Sequence, residues 1–223
     1  MRIVSWNVNG LKSCCNKGFR SYMTDLDADI ICLQETKLAF SSRLALSAHL
    51  TGYSHSFTDA AIGGQSGTAI YERDTSFLDI LSFGSTSDRL IGYEYDDFIV
   101  LSTYFPACGR NNCKLQRRLD WDLIFQDVIT SLRRSKPVIV CGDLNIRCDN
   151  QKAFKDLLDL GFVDAYSYKH PNSKAVSIGT KESGTRLDYF LVDTRLQGKI
   201  VDSCIRDDIK ASDHYPIILD INL

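Results

Sequence analysis

The chain has 223 residues, of which 44% are hydrophobic, 24% charged and 10% aromatic, a composition that excludes a disordered, collagen-like or low-complexity protein. Lysine and arginine number 26 against 28 aspartates and glutamates, a formal net charge of −2, so a polyanionic partner would have to bind a local basic patch. No apolar run approaches the roughly 18 residues that span a bilayer, and the polar Ser5 and Asn7 argue against a signal peptide.

The predicted elements are mainly short strands, each rich in β-forming residues and bounded by turn residues. In chain order the sequence predicts strand 2–8, helix 18–26, strand 29–34, helix 42–50, strands 53–57, 68–71, 90–95 and 98–104, helix 115–132, strand 137–141, helix 151–160, and strands 187–192, 199–205 and 216–221. About ten strands with interspersed helices favour an α+β fold, with two packed sheets covered outside by helices. No repeat or linker divides the chain, so we expect a single domain over residues 1–223.

The helix predicted over residues 115–132 has an apolar stripe at spacings of three and four residues. The stripe consists of Leu115, Leu119, Ile124, Phe125, Val128, Ile129 and Leu132. The arginines of this region are typical of a solvated helix face; they are Arg117, Arg118, Arg133 and Arg134.

The eight cysteines form neither a dense disulfide framework nor the paired Cys-x-x-Cys spacing of a zinc site. Cys32 and Cys141 lie in apolar runs, where free thiols behave as small hydrophobic residues. This usage favours a reducing, intracellular compartment, which is the cytoplasm, or the nucleus if the organism is eukaryotic.

Four apolar runs end abruptly in small polar or acidic residues. These endings lie in residues 3–10, 30–36, 138–145 and 210–216. Taken singly, each has an ordinary explanation, because Asn and Asp begin turns through local side-chain hydrogen bonds. Strand ends can converge, however, and four polar ends that converge would form a site.

Glu35 is the residue that most needs a partner. An ionised carboxylate directly after a buried apolar run requires a cation or hydrogen-bond donors to offset its desolvation. Mg²⁺ prefers oxygen ligands and retains water, so one or two carboxylates and an amide oxygen suffice to hold it. Glu35, Asn7 and Asp213 meet this demand without thiolates or a histidine cluster.

Two further pairs carry acid–base chemistry. Asp143 and Asn145 alternate along an extended segment, so their side chains point to the same face; one can polarise a water molecule while the other donates to an oxyanion. His214 has the neutral-range pKa suited to proton transfer or charge stabilisation, and Asp188 is a candidate partner that would fix its tautomer.

Six short motifs occur in one order along the whole chain. They are Ser5-Trp6-Asn7-Val8-Asn9-Gly10-Leu11, Leu33-Gln34-Glu35-Thr36-Lys37, Tyr104-Phe105-Pro106, Gly142-Asp143-Leu144-Asn145, Arg186-Leu187-Asp188-Tyr189 and Ser212-Asp213-His214-Tyr215-Pro216. In spelling and order they resemble the exonuclease III-type apurinic/apyrimidinic endonucleases of the endonuclease/exonuclease/phosphatase superfamily.

The resemblance implies a four-layer α/β sandwich, with two mostly antiparallel β-sheets flanked by helices, and Mg²⁺-dependent cleavage of phosphodiester bonds, with Mn²⁺ as a substitute. It also implies roles for individual residues. Glu35 would bind the metal with Asn7 and Asp213. Asp143 would orient or deprotonate the attacking water, and Asn145 would stabilise the developing negative charge. His214, oriented by Asp188, would contact the scissile phosphate, where Tyr104 would act as a donor.

The same resemblance implies DNA as the partner, as a duplex with an abasic site, a nick or a 3′ end, and a monomeric enzyme without membrane attachment. Phosphate contacts supply most of the non-specific binding energy to DNA. The candidate substrate-binding residues are Lys37, Arg110, Asn9 and Arg186.

The chain departs from the family pattern at three places. Ala107 stands where members usually carry Asn or Gln, and residues 146–161 are shorter than the corresponding family insertion. Residues 172–185 contain no aromatic residue, whereas the family has an aromatic-rich loop around the flipped-out abasic sugar. These departures predict an intact hydrolytic centre with a reduced minor-groove grip and a poorly built sugar pocket.

The leading hypothesis is therefore a Mg²⁺-dependent DNA nuclease of base excision repair that acts at abasic sites, at 3′ ends, or at both. Two alternatives within DNA biology are a less specific endonuclease of the same superfamily and a non-catalytic nucleic-acid-binding regulator on the same fold. Hydrolysis of a small phosphoester is a third.

Overall fold

The computed structural model describes residues 1–38, 50–58, 64–74, 76–84, 88–146 and 151–223. Its strands form two six-stranded sheets. The first contains β1 (Arg2–Asn7), β2 (Ile30–Gln34), β3 (Ser54–Phe57), β4 (Thr68–Glu72), β11 (Ile200–Ile205) and β12 (Ile217–Ile221), in the order β11-β12-β1-β2-β4-β3. The second contains β5 (Asp79–Ser82), β6 (Leu90–Glu94), β7 (Ile99–Tyr104), β8 (Val138–Asp143), β9 (Phe162–Asp164) and β10 (Asp188–Asp193), in the order β5-β6-β7-β8-β10-β9.

Each sheet has a single parallel pair, β1 with β2 and β7 with β8, and antiparallel neighbours elsewhere among its described strands. In the first sheet, Asn7 pairs with Gln34 at the ends of β1 and β2. In the second, Asp143 at the end of β8 lies between Tyr104 of β7 and Asp188 of β10. Polar residues of several strands are thereby brought to one end of each sheet.

The helices are α1 (Leu11–Asn16), α2 (Phe19–Leu26), α3 (Leu115–Ser135), α4 (Gln151–Asp159) and α5 (Ala165–Lys169). The first four cover the outer faces, whereas α5 contacts β11 at the edge of the first sheet and β9 and β10 at the edge of the second. One buried cluster joins the facing sides of the two sheets, including Ile30, Val100 and Phe190. A second lies between the first sheet and α1–α2, and a third between the second sheet and α3–α4. The predicted α+β sandwich of two mostly antiparallel sheets flanked by helices is thus confirmed.

The buried face of α3 differs from the predicted stripe. Leu115, Leu119 and Ile124 are 38%, 45% and 43% exposed. The buried residues of the helix are Arg118, Trp121, Asp122, Phe125 and Ile129. The prediction of a solvated Arg118 is therefore wrong. Its ion pair with Asp122 one turn later, at 2.7 Å, lets two charged residues lie on the buried face of the helix, outside the apolar stripe.

Other elements were outside the reach of the sequence pattern. β5 is an exposed edge strand and β9 has three residues, and neither shows the apolar alternation by which strands are recognised. The short helices α1 and α5 were also not predicted. The predicted helix 42–50 falls, except for Leu50, outside the described residues. Within the part of the chain that the structure describes, no helix is long and apolar enough to cross a membrane.

Candidate active site

The site begins where the two sheets meet, at Asn7. Asn7 is the last residue of β1 and is fully buried. Its Nδ2 donates to Glu35 Oε1 at 2.9 Å and to Asp143 Oδ2 at 3.0 Å. Glu35 directly follows β2 of the first sheet, and Asp143 is the last residue of β8 in the second. The amide of Asn7 therefore connects carboxylates from both sheets.

The rim of the site is formed by Asn9, Lys37 and Asp213. Asn9 donates from its backbone N–H to Asn7 Oδ1 at 3.0 Å and from its Nδ2 to Asp213 Oδ1 at 3.0 Å. Lys37 donates from Nζ to Asn9 Oδ1 and forms an ion pair with Glu35 Oε2 at 3.1 Å. The structure therefore brings Lys37 and Asn9 together with all three predicted metal ligands.

Asp143 is held by the turn that follows β8. The backbone N–H of Asn145 donates to Asp143 Oδ1 at 2.9 Å, and Asn145 Nδ2 donates to Asp143 Oδ2 at 3.2 Å and to the carbonyl of Phe105 at 3.0 Å. The predicted pairing of Asp143 and Asn145 on one face is found. Both hydrogens of the amide are engaged, so Asn145 would donate to a substrate oxygen only by exchanging one of these partners.

His214 approaches Asp143 from the first sheet. Its Nδ1 lies 2.8 Å from Asp188 Oδ2, and its Nε2 lies 3.9 Å from Asp143 Oδ2. Asp188 is fixed in turn by Ser177, whose Oγ donates to Asp188 Oδ2 at 2.6 Å and accepts from the backbone N–H of Asp188 at 3.1 Å. Trp6 Nε1 donates to the carbonyl of His214 at 2.9 Å. The predicted pairing of Asp188 with His214 is present in the structure.

Tyr104 lies beside this cluster under a buried arginine. The Cζ of Arg89 is 4.6 Å from the centre of the Tyr104 ring, and Arg89 Nη1 donates to the carbonyl of Tyr104 at 3.1 Å. Burial, followed by the negative charges of Glu35 and Asp143, raises the pKa of the Tyr104 phenol. The hydroxyl therefore keeps its proton at neutral pH and can act as a donor.

The two central titratable groups have shifted pKa values. Burial and the negative charge of Asp188 raise the pKa of Asp143 to about 7, although His214, Asn145 and Asn7 favour its ionised form. For His214, burial opposes protonation, but the carboxylates of Asp188, Asp143 and Asp213 outweigh it and raise its pKa to about 9. Near neutral pH the site therefore combines a cationic imidazole with a carboxylate able to exchange a proton.

The donor set fits a hard divalent cation. Among the described residues, no group of three or more His, Cys, Asp or Glu side chains is arranged to hold a metal ion. Glu35 has a partly exposed carboxylate that accepts from Asn7 Nδ2, and the oxygen of the same amide, Asn7 Oδ1, accepts from the backbone N–H of Asn9. One or two carboxylates with an amide and water are the ligands that Mg²⁺ accepts.

The other two predicted substrate-binding residues are Arg110 and Arg186. Arg110 begins an exposed 3₁₀ turn, Arg110–Asn112. Arg186 Nε donates to the carbonyl of Asp188 at 3.3 Å, and its Nη1 and Nη2 donate to the two carboxylate oxygens of Asp164 at 2.7 and 2.6 Å. The Arg186 Cζ lies 5.0 Å from the Tyr166 ring and 4.3 Å from the Tyr189 ring. This bidentate pairing is typical of an arginine that fixes a fold element.

Sequence reasoning missed three residues that shape the site. They are Arg89, Ser177 and Arg118. Arg89 and Arg118 carry no local signal, because a buried arginine is read from sequence as a surface residue. Ser177 lies in the segment without aromatic residues, and only the fold places its hydroxyl against Asp188.

Fold and site together define an α/β sandwich with a cluster of carboxylates, amides and an imidazole where its two sheets meet. The model of the Endonuclease/Exonuclease/phosphatase family matches residues 4–214, and the chain belongs to this family.

Individual proteins of known name are similar to this chain. The chain is similar to the DNA-(apurinic or apyrimidinic site) endonuclease of Dictyostelium discoideum, with 32% identity over 260 residues that cover 100% of this chain and 71% of the relative. It is similar to the exodeoxyribonuclease of Bacillus subtilis, with 31% identity over 100% of both chains. The crystal structure of an AP endonuclease from Leishmania major shares the fold, with a TM-score of 0.86 and 22% identity over 100% of this chain and 87% of the other.

Proposed function

We propose that this chain is a Mg²⁺-dependent DNA phosphodiester hydrolase of the exonuclease III type, which cleaves at abasic sites or removes nucleotides or blocking groups from 3′ ends in base excision repair. The observation that carries the proposal is the carboxylate of Asp143, which is held between Asn7, Asn145 and His214. Relatives named as an apurinic or apyrimidinic site endonuclease and an exodeoxyribonuclease support DNA as the substrate.

In this proposal Asp143 takes the proton of the attacking water. A general base works best when its pKa lies near the working pH, and the pKa of Asp143 is about 7. The two hydrogen bonds from Asn145 and one from Asn7 hold the carboxylate in a single orientation. Such fixing of the base and the water contributes to rate, since a misplacement of about 1 Å can cost a hundredfold.

The phosphate is anionic, so the site must also stabilise negative charge. His214, whose pKa of about 9 keeps it cationic, and the protonated Tyr104 would donate to the phosphate oxygens. Asp188 and Ser177 keep the His214 ring in place. Loss of one such donor costs about a hundredfold in rate.

Glu35 and Asn7 would hold the divalent cation, with Asp213 contributing through the rim. When bound, the cation would supply charge neutralisation at the phosphate. Lys37 and Asn9 would contact the DNA backbone beside Glu35, and Arg110 would contact it from the exposed turn. Arg186, which is paired with Asp164, is assigned to holding its loop.

We further propose that residues 1–223 act as one monomeric catalytic domain. The site takes residues from both sheets, so neither sheet alone would carry it. The cysteines of the described segments are free thiols, which supports a reducing, intracellular compartment, cytoplasmic or nuclear.

The test is gel-resolved digestion, with Mg²⁺, of matched duplexes that carry an abasic analogue, a nick, a 3′-phosphate or no lesion. We expect incision at the abasic analogue or trimming at the 3′ ends. Failure to cut any of the four duplexes would overturn the proposal. Asp143→Asn should lower kcat by roughly 10²- to 10⁴-fold, whereas the same change at the exposed Asp79 should leave it unaltered.

The segment of residues 172–185 bears on which of these duplexes is cleaved fastest. Residues 172–185 have no aromatic side chain, and Ile178 forms backbone bridges to both Thr185 and His214. This segment therefore supplies no aromatic side chain to a pocket for an extruded sugar. Cleavage of undamaged or nicked DNA as fast as abasic DNA would select the less specific endonuclease.

A further inference from the structure

Arg118 of α3 is fully buried and contacts both loops on which the site is built. Its Nη1 donates to the carbonyl of Pro106 at 3.3 Å and to the carbonyl of Asn145 at 3.1 Å. Its Nε donates to Asp122 Oδ1 at 2.7 Å, and its Cζ lies 4.9 Å from the centre of the Phe105 ring. One side chain therefore joins the helix to the segment after β7 and to the segment after β8.

The carbonyl held by Arg118 belongs to the turn that orients Asp143. Asn145 has a left-handed backbone, with φ 46°, and donates to both carboxylate oxygens of Asp143 and to the carbonyl of Phe105. A shift of the Asn145 backbone would therefore shift the carboxylate of Asp143 as well.

A contribution to the stability of the fold does not explain why an arginine is buried at position 118. A buried guanidinium is costly to desolvate, and Arg118 Nη2 has no hydrogen-bond partner among the residues that the structure describes. A buried ion pair can often be replaced by apolar residues of similar volume without loss of stability. The contacts of Arg118 to the two loops are what an apolar pair could not reproduce.

We propose that Arg118 is a positioning residue for the hydrolytic reaction. Arg118 touches no reacting group. It acts through the carbonyls of Pro106 and Asn145, and so fixes the turn that holds Asp143 relative to the segment that carries Tyr104. This inference rests on the proposed function, which it deepens by adding a residue to the catalytic arrangement.

The same helix offers a matched control in Arg133. Its Nε donates to Asp193 Oδ2 at 2.7 Å, its Nη1 and Nη2 donate to the carbonyls of Leu160 and Gly161, and its Cζ lies 5.0 Å from the Phe162 ring. Arg133 thus makes the same kinds of contact as Arg118, with none of the site residues among these partners.

The experiment compares Arg118→Lys with Arg133→Lys in the full chain, on the duplex that the wild type cleaves. Lysine has one nitrogen in place of the Nε that binds Asp122 and the Nη1 that binds the carbonyls of Pro106 and Asn145, so it cannot keep all three contacts in the geometry of the planar guanidinium. For Arg118→Lys we expect kcat per folded molecule to fall about tenfold or more, with KM within about twofold of wild type. For Arg133→Lys we expect both constants to stay within about twofold. Equal kcat values in the two variants would overturn the inference.

A second variant guards against misfolding. Arg118→Met combined with Asp122→Leu removes the buried charges together, which the fold tolerates best, and also removes both carbonyl contacts. We expect the same loss of kcat in this double variant. Wild-type kcat in a folded double variant would contradict the positioning role.

Hydrogen exchange separates this inference from the proposed function. The Asn145 amide donates to Asp143, so we expect it to exchange faster in Arg118→Lys and at the wild-type rate in Arg133→Lys. If the wild type cleaved no DNA, the proposed function would fail. The exchange rate of the Asn145 amide would still show whether Arg118 holds the turn that orients Asp143. Unchanged exchange in Arg118→Lys would overturn the positioning role.

Discussion

Several residues of the site adopt left-handed backbone conformations that residues other than glycine seldom take. Asn9, Glu35, Lys37 and Asn145 have φ values of 44°, 49°, 54° and 46°. Each such residue costs of order 1–2 kcal/mol, less for asparagine, whose side chain stabilises the turn locally. Glu35 and Lys37 therefore keep this conformation only because the surrounding contacts require it.

The charge of His214 is set by Asp188, and Asp188→Asn tests this. With a pKa of about 9, His214 contributes stability that is complete below about pH 6.5, the ordinary imidazole value, and is lost as the pH rises through about 9. Removal of the Asp188 charge takes away the largest contribution that opposes burial, while those of Asp143 and Asp213 remain, so we expect the pKa of His214 to fall. NMR titration of the ring protons in metal-free protein measures it.

The control is Asp202→Asn, which removes an exposed carboxylate 3.4 Å from His170 Nε2. It should leave the titration of His214 unchanged. An unaltered pKa of His214 in Asp188→Asn would show that the pair is not what holds the proton.

At the scale of elements, the parallel contact of β7 with β8 positions the site and depends on Gly142. Gly142 pairs with Thr103 and has φ +138°, and a Cβ built there would lie 1.9 Å from the Thr103 carbonyl oxygen. No side chain fits without separating the two strands. The strands carry Tyr104 and Asp143 as their last residues, so this glycine fixes the distance between them.

We expect Gly142→Ala to lower the free energy of unfolding by about 3 kcal/mol or more, because it combines backbone strain with steric overlap. Urea denaturation measures it. Gly52→Ala is the matched control: Gly52 has φ +86° but open space around its Cβ position, so it should cost only about 1 kcal/mol. A similar cost at both positions would refute the overlap at Gly142.

The C-terminal half of α3 is fastened to β10 through Asp193. Asp193 is fully buried and accepts from Arg133 Nε at 2.7 Å and from Arg195 Nη2 at 2.6 Å. Burial would raise the pKa of this carboxyl, but the hydrogen bonds from Arg195 and Arg133 outweigh it and hold the pKa well below its usual range. The carboxylate therefore stabilises the fold only while it is ionised.

Asp193→Asn should accordingly destabilise the chain by about 3 kcal/mol near neutral pH, because the two guanidinium groups lose their partner. The folded pKa of Asp193 is depressed, so its contribution is complete above about pH 4, the unfolded value, and is lost as the pH falls further. Unfolding free energies of wild type and variant at a series of pH values should converge in acid. A difference independent of pH would contradict this account.

At the scale of the whole molecule, the two sheets have to pack together before the site exists. Asn7 and Glu35 come with the first sheet, and Asp143 and Asp188 come with the second. The apolar cluster between the sheets holds them in register. The fold is therefore built by apolar packing, and the proposed cation would act in the reaction rather than in the core.

Metal removal tests this separation. We expect EDTA to abolish DNA cleavage, to leave the melting temperature of the free protein within a few degrees of its original value, and to be reversed by added Mg²⁺. Glu35→Ala should imitate EDTA and resist rescue by Mg²⁺. Unfolding on chelation would instead identify a structural metal.

Much of the fold could be predicted from the sequence, because strands and their ends are local. The strand at residues 2–8 and its neighbours follow from runs of β-forming residues closed by turn residues, and the motifs around Asn7, Glu35 and Asp143 stand at those ends. The helix α3 shows the limit of sequence-based prediction, because leucines of its predicted apolar stripe are exposed. Periodicity finds a helix, but it does not show which of two adjoining faces is buried when Arg118 and Asp122 neutralise each other there.

The sequence by itself determined the class of fold, the positions of all the described strands except β5 and β9, and the residue types available for acid–base and cation chemistry. These follow from local propensity and from short motifs. Only the tertiary structure decided that Arg118 is buried, that Arg186 is committed to Asp164 and that Ser177 supports Asp188. Such contacts join segments far apart in the chain, and the partner that a polar side chain meets is fixed only when the sheets have packed.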